Sequence, residues 1–166
     1  MSSNPTVLVG GQLKRWRVVM VAIGVLGYGL DQWTKAEAVA RLDPYGPPSW
    51  FGGFLTLRLI RNPGAAFSMG STVTVLISLF AIAMLIAVCV WGVPRARHRW
   101  SLIACGMLIA GVCGNLTDRI FRAPGPLRGH VVDFMSLPHF AVFNVADIFI
   151  TSTAILVVVV AVFGHH

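Results

Sequence analysis

The chain has little charge and very little acid. Of its 166 residues only 11% are Asp, Glu, Lys or Arg, with six acids against thirteen Lys and Arg. A soluble domain of this length needs a larger charged fraction to cover its surface, which excludes that class. Charge is missing altogether from three long runs, 71–93, 100–117 and 148–164. A bilayer's hydrocarbon core takes about 20 residues of helix, so these runs suit a membrane span. A shorter run, 18–30, continues past Asp31 through Gln32, Trp33, Thr34 and Lys35 into Ala-rich, helix-forming sequence. Cysteine is scarce as well. Cys89, Cys105 and Cys113 fall in predicted helices and form no C-x-x-C pair, so they are expected to be buried free thiols acting as small apolar residues. The sequence has no H-E-x-x-H or Cys/His metal spacing, and His130 and His139 come without a G-x-S-x-G elbow. Zinc and serine-nucleophile chemistry fit poorly, and neither a metal nor a cofactor is expected.

What charge there is sits unevenly. The formal net charge is +7. In a soluble protein this would suggest nucleic acid, but membrane proteins concentrate Lys and Arg in short flanking loops, so no nucleic-acid partner is expected. Lys14, Arg15 and Arg17 precede the first span, and Arg95, Arg97 and Arg99 crowd the turn between the second and third. Both segments are expected in the cytoplasm, together with the C-terminus. No small-residue cleavage site closes the first apolar run, so an uncleaved first span is expected rather than a signal peptide. The terminal pair His165 and His166 is set aside from the functional reading.

The expected fold is an all-α membrane protein, one domain over 1–166, with four transmembrane helices at about 16–40, 72–93, 100–118 and 141–163. A small extracytoplasmic sheet and loop cap should complete it. Tyr45, Gly46, Pro47 and Pro48, then Gly52 and Gly53, punctuate the first outer loop. Residues 54–61 then alternate, with Leu55, Leu57 and Leu59 on one face, which predicts a half-buried strand. Val131 and Val132 begin a second β-branched run, and Trp50 and Phe51 suit an interfacial aromatic belt.

Three carboxylates, Asp31, Asp118 and Asp147, lie inside or at the end of a predicted span. A carboxylate in such a place is costly, about 2.5–3.5 kcal/mol at mid-helix on insertion scales and less towards the ends, so it normally faces a polar cavity and serves a function. The alternative for Asp147 is an interhelical hydrogen bond to Ser or Thr. Asp133 is its natural partner, fourteen residues earlier in the loop that delivers the chain to the last span. Two carboxylates at close range share a proton, so that one acts as base towards water and the other as acid towards a carbonyl. Asn144, three residues before Asp147, is expected on the same helical face. Asn115 and Asp118 are one turn apart at the end of span three, with Arg119 next to them, and Asn62 and Gly64 lead towards span two, where Ala65 and Ala66 allow close backbone approach. Asn side chains can hold an extended peptide by its N–H and C=O groups. Arg119 alone could be an ordinary interfacial cation. Asp31 and Lys35, four apart, are expected to form a simple intrahelical ion pair that pins span one beneath the site.

Five ordered blocks carry a family resemblance: Asp31 to Lys35 (DQWTK), Arg61 to Ser68 (RNPGAAFS), Gly114 to Arg119 (GNLTDR), Val131 to Phe134 (VVDF) and Phe143 to Asp147 (FNVAD). In order and spacing the chain resembles lipoprotein signal peptidase, or signal peptidase II, from about residue 16 to 163. The resemblance implies an aspartyl endopeptidase of the bacterial cytoplasmic membrane. It would cut prolipoproteins on the amino side of a diacylglyceryl-modified cysteine, at the outer face. It further implies catalysis by Asp133 and Asp147, substrate contacts from Asn62, Asn115, Arg119 and Asn144, and support from Asp31, Lys35, Asp118 and Gly64. The expected partners are the prolipoprotein and membrane lipid, with the chain a monomer. The stretch 122–128 is longer and richer in Pro than the family pattern, which leaves the shape of that loop open. Two other readings are possible from residues alone. A proton-coupled transporter subunit would use Asp133 and Asp147 as a relay, with acids near the midplane and repeated or broken helices. A non-catalytic assembly factor would spread Ser, Thr and Asn through several spans as interhelical glue.

Overall fold

A computed structural model describes residues 7–43, 45–64 and 70–163 of the chain. In chain order the elements are α1 (Gly10–Arg41), β1 (Ser49–Trp50), β2 (Leu55–Asn62), α2 (Gly70–Ala87), α3 (Arg99–Phe121), β3 (Val131–Ser136) and α4 (Val145–Phe163). Beyond Ala87, α2 widens into one π-type turn, Val88–Gly92, and ends as Val93–Arg95. Pro94 lies just after the widened turn. It has no N–H to donate, and its ring clashes with the carbonyl four residues back, so the helix relaxes there. Among the described residues three helices are long and apolar enough to cross a membrane: Thr72–Arg95, Arg99–Phe121 and Val145–Phe163. Their outward faces carry Leu76, Phe80, Val90, Ile155 and Val158, all well exposed. An apolar exterior of this extent is what lipid requires and water penalises.

α1 is longer than any of these, at 32 residues, but interrupts its apolar run with Asp31 and Lys35. It lies parallel to α3, and α3 packs in turn against α4. In lipid no hydrophobic effect drives helix to helix, so close packing of small residues takes over. Gly106, Ala110 and Gly114 recur every four residues on α3. A Cβ added at Gly106 would stand 2.6 Å from the Met20 carbonyl, and one at Gly114 would stand 2.5 Å from Asp31 Oδ2. On the α4 side a Cβ at Gly111 would meet the Ala146 carbonyl at 2.6 Å. α3 is thus narrow on both flanks, and the polar residues of three helices converge at its far end.

The three strands form one antiparallel sheet in the order β1-β2-β3. Its apolar face, Leu57, Leu59, Val132 and Phe134, closes over Ala38 near the end of α1. Full burial of a side chain such as Val132 contributes about 1.5–3 kcal/mol. Several sequence expectations shift in detail. The first helix begins at Gly10 rather than residue 16, and the last begins at Val145 rather than 141, because Phe143 pairs with Met135 of β3 before the helix starts. The strand over 54–61 is present, but its alternation breaks at a bulge between Leu57 and Ile60. The cysteines are free thiols, yet none is buried: Cys89 is exposed on the apolar exterior, and Cys105 and Cys113 are half-buried. Ala65 and Ala66 lie outside the described residues.

Candidate active site

Asp133 is placed by β3. In the ladder it stands opposite Ile60, so Asn62, two residues further along β2, reaches it diagonally on the same face. Asn62 Nδ2 donates to Asp133 Oδ2 at 2.7 Å. Asp118 secures the strand from below by accepting the Val132 N–H at 3.1 Å. The chain then returns antiparallel to β3, with the Phe143 N–H donating to the Met135 carbonyl at 2.9 Å, and this sets Asn144 beside Asp133.

Asn144 is not a residue on the helical face, as its spacing suggested; it is the N-cap of α4. Its Oδ1 accepts the Asp147 N–H at 3.1 Å, and its own N–H donates to Asp147 Oδ2 at 3.1 Å. This reciprocal pair is a capping box, and a helix that must begin beside a polar site is anchored by it. The Asn144 Nδ2 group then serves two partners, Asp133 Oδ1 at 2.6 Å and Asn115 Oδ1 at 3.1 Å. Asn115 Nδ2 donates to Asp147 Oδ1 at 2.8 Å. The two aspartates are therefore joined through Asn144 and Asn115, each amide donating to a carboxylate. Asp133 is buried at 2% exposure, whereas Asp147 is half-buried. Burial pushes the Asp133 carboxyl above its ordinary value of 3.8; the Asn62 hydrogen bond pulls it down, and the charge of Asp147 adds to the rise.

Beneath this lies a second polar layer. Lys35 is fully buried, and its Nζ lies 2.8 Å from Asp31 Oδ2, 3.0 Å from Asp118 Oδ2 and 3.0 Å from Asn115 Oδ1. The expected simple intrahelical pair is in fact a hub linking α1 to α3. Arg122 Nε completes it at 2.5 Å from Asp118 Oδ1, so two cations and two carboxylates balance. Asp31 Oδ1 also accepts the Ala146 N–H at 2.8 Å, fixing the first turn of α4. A one-helix spacing argument sees only one partner of a side chain, and here the tertiary fold supplies the others.

Arg119 is 7% exposed and donates from Nη1 to the Pro63 carbonyl at 3.1 Å, so it clamps the segment after β2. Gly64 has φ 79°, and a Cβ there would collide with the Arg119 guanidinium, so the position excludes a side chain on both counts. Gln32, Thr74 and Ser78 were not legible as site residues. Gln32 Nε2 bridges Asp31 Oδ2 at 3.0 Å and the Gly114 carbonyl at 3.1 Å. Thr74 and Ser78 donate to the Pro63 and Leu127 carbonyls at 2.9 and 2.7 Å, tying α2 to the segment after β2 and to the loop before β3. The loop over 122–128, whose shape the sequence left open, is a tight turn in which Gly125 N–H donates to the Arg122 carbonyl at 3.2 Å and Arg128 N–H to the Gly125 carbonyl at 3.0 Å. Among the described residues no buried side-chain nitrogen or oxygen lacks a partner. A hollow of about 430 Å³ between α1 and α3, lined by Met20, Gly24, Tyr28 and Ile109, contains none of these carboxylates or carboxamides.

The chain is similar to known proteins over most of its length. The sequence model of the family described as Signal peptidase (SPase) II matches residues 21–163. A lipoprotein signal peptidase of Mycobacterium tuberculosis (strain ATCC 25618 / H37Rv) is 43% identical over 146 residues, covering 88% of this chain and 72% of that protein. One of Rhodococcus jostii (strain RHA1) is 44% identical over 149 residues, covering 89% and 74%. A bacterial membrane enzyme solved by the in meso method at 1.9 Å superposes with a TM-score of 0.76 and 27% identity, covering 89% of this chain and 94% of its own. A second, solved at 2.3 Å, shares the fold with a TM-score of 0.68 at 24% identity, covering 87% of each chain. With five motif blocks on one polar cluster and a family match over nearly all of its length, the chain belongs to the signal peptidase II family.

Proposed function

We propose that the chain is an aspartyl endopeptidase that removes signal peptides from prolipoproteins, cutting on the amino side of a diacylglyceryl-modified cysteine. The observation that carries this reading is the pairing of a buried Asp133 with a half-exposed Asp147 through two shared carboxamides. Asp147, on the open side, accepts a proton from the attacking water. Asp133, whose burial raises its affinity for a proton, is placed to donate to the scissile carbonyl. Asn62, Asn115 and Asn144 hold the pair in place and offer amide groups to an extended peptide, with Arg119 beside them. Asp31, Lys35, Asp118 and Gly64 support this set from below. The names of the chain's relatives and the position of the pair, Asp147 in the first turn of an apolar helix and Asp133 on the strand beside it, support a lipid-modified substrate whose acyl chains stay in the bilayer.

In this reading α1 is a fourth span, its buried charges satisfied by α3 and the first turn of α4. The termini and the turn 95–99 are cytoplasmic, and the carboxylate end faces outward across the bacterial cytoplasmic membrane as a monomer. Membership of the family leaves the transporter reading without support. The test is incubation of purified protein with a diacylglyceryl-prolipoprotein in detergent, followed by the product's mass. Asp133→Asn, Asp147→Asn and the double variant should stay folded and each lose about 10²–10⁴-fold in rate, similarly singly and together. Full activity in either single variant, or cleavage at another bond, would remove the dyad or the substrate from this account.

A further inference from the structure

The end of the bundle remote from the dyad has a different chemistry. The chain's six carboxylate side chains are Asp31, Glu37, Asp43, Asp118, Asp133 and Asp147, so none falls in the first turns of α1 or α3. Lys14, Arg15, Arg17, Arg95, Arg97 and Arg99 gather there instead. Such a ring is ordinary at a cytoplasmic surface and would by itself imply only diffuse attraction. Part of it, however, is built into a cavity. A hollow of about 350 Å³ is lined by Gln12, Arg15 and Trp16 of α1 and by His98, Arg99 and Trp100 at the start of α3. The Leu8 N–H donates to the Arg97 carbonyl at 2.7 Å, which ties the segment before α1 to the turn and closes one wall. The Arg99 guanidinium stacks 5.0 Å over the Trp100 ring and is held at the rim. α1 and α3 run parallel, so both helices begin at this hollow, and neither start receives a side-chain cap. The positive ends of two helix dipoles add to the arginines in attracting an anion.

Trp100 belongs to a second wall as well. On its other side an apolar groove of about 190 Å³ runs between α3 and α4, past Ala104, Leu156, Val160 and Ala161. A polar hollow roomy enough for a phospholipid headgroup, joined at one residue to a lipid-facing groove, matches an amphiphile rather than a free anion or an acidic peptide. We propose that this end of the bundle binds one anionic phospholipid of the facing leaflet, its phosphodiester between Arg15 and Arg99 and an acyl chain in the groove between α3 and α4.

The test is native mass spectrometry of the full chain in detergent, titrated with phosphatidylglycerol or phosphatidylcholine. Saturable binding of one phosphatidylglycerol, with phosphatidylcholine weaker, is the expected result. Arg15→Gln and Arg99→Gln should each weaken it about fivefold, while Arg17→Gln and Arg97→Gln, at the same end but outside the hollow, leave it nearly unchanged. Ala161→Trp, which fills the groove, should weaken binding with both arginines intact. Equal losses from all four arginine variants would reduce the effect to diffuse charge and overturn the proposal. Displacement of the lipid by millimolar inorganic phosphate, or no effect of Ala161→Trp, would reduce it to a free-anion site and overturn it likewise.

Discussion

Replacing Lys35 by methionine tests the layer that carries the dyad. The ammonium is fully buried between Asp31 at 2.8 Å and Asp118 at 3.0 Å, and Arg122 pairs with Asp118. With Lys35 the cluster holds two positive and two negative charges; without it one carboxylate is left buried and uncompensated. Removing one partner of a buried ionic cluster costs about 3–5 kcal/mol. For a chain of this size each kcal/mol lowers Tm by about 2–4 °C, so Lys35→Met should lose about 6–20 °C. Methionine conserves most of the volume, so little of that loss is cavity. Asp31→Asn restores neutrality and still accepts the Ala146 N–H, so the double variant Lys35→Met/Asp31→Asn should recover much of the loss. The two changes should couple by about 0.5–3 kcal/mol rather than add. Thermal unfolding of the four proteins in one detergent measures this. A shift of under about 3 °C in Lys35→Met, or strictly additive losses, would refute the argument that charge balance holds α1 to α3.

Four further outcomes follow. Asn62→Ala removes a donor that holds the Asp133 carboxyl down, so that carboxyl should titrate at higher pH and the alkaline limb of the rate profile should move up; movement of the acid limb would exchange the roles of the two aspartates, and no movement would detach Asn62 from the chemistry. In stability, the folded chain holds the Asp133 proton more tightly than the unfolded chain does, so this contribution is complete below 3.8 and is lost as pH rises through the folded value, which pH-dependent unfolding of wild type against Asp133→Asn would show. Arg119→Ala should chiefly raise KM and loosen the segment at Pro63, with residual turnover at saturating substrate, and abolished turnover with normal binding would give Arg119 a direct chemical role. In a background without native cysteines, Ser49→Cys and His139→Cys should react with an impermeant reagent on intact cells and Arg97→Cys only after permeabilisation; the reverse pattern would invert the orientation.

The sequence by itself determined the solvent. Charge-free runs of span length leave no other medium, and a carboxylate such as Asp147 at the end of one of them marks a place where something polar must gather. It also determined the candidate set, because Asn62, Asn115, Asp133, Asn144 and Asp147 stand in short ordered blocks. What it could not determine is how those residues share their bonds. Helical periodicity compares positions along one axis, so it offered Lys35 one partner where the fold gives it three, two of them from α3. It set Asn144 on a helix face because the pattern cannot see that β3 claims Phe143 and delays the helix to Val145. The capping geometry of Asn144, the diagonal reach of Asn62 across the sheet and the narrow flanks of α3 each depend on contacts between segments far apart in the chain. Burial then separates the two aspartates, and burial is a property of the packed bundle that no residue carries alone.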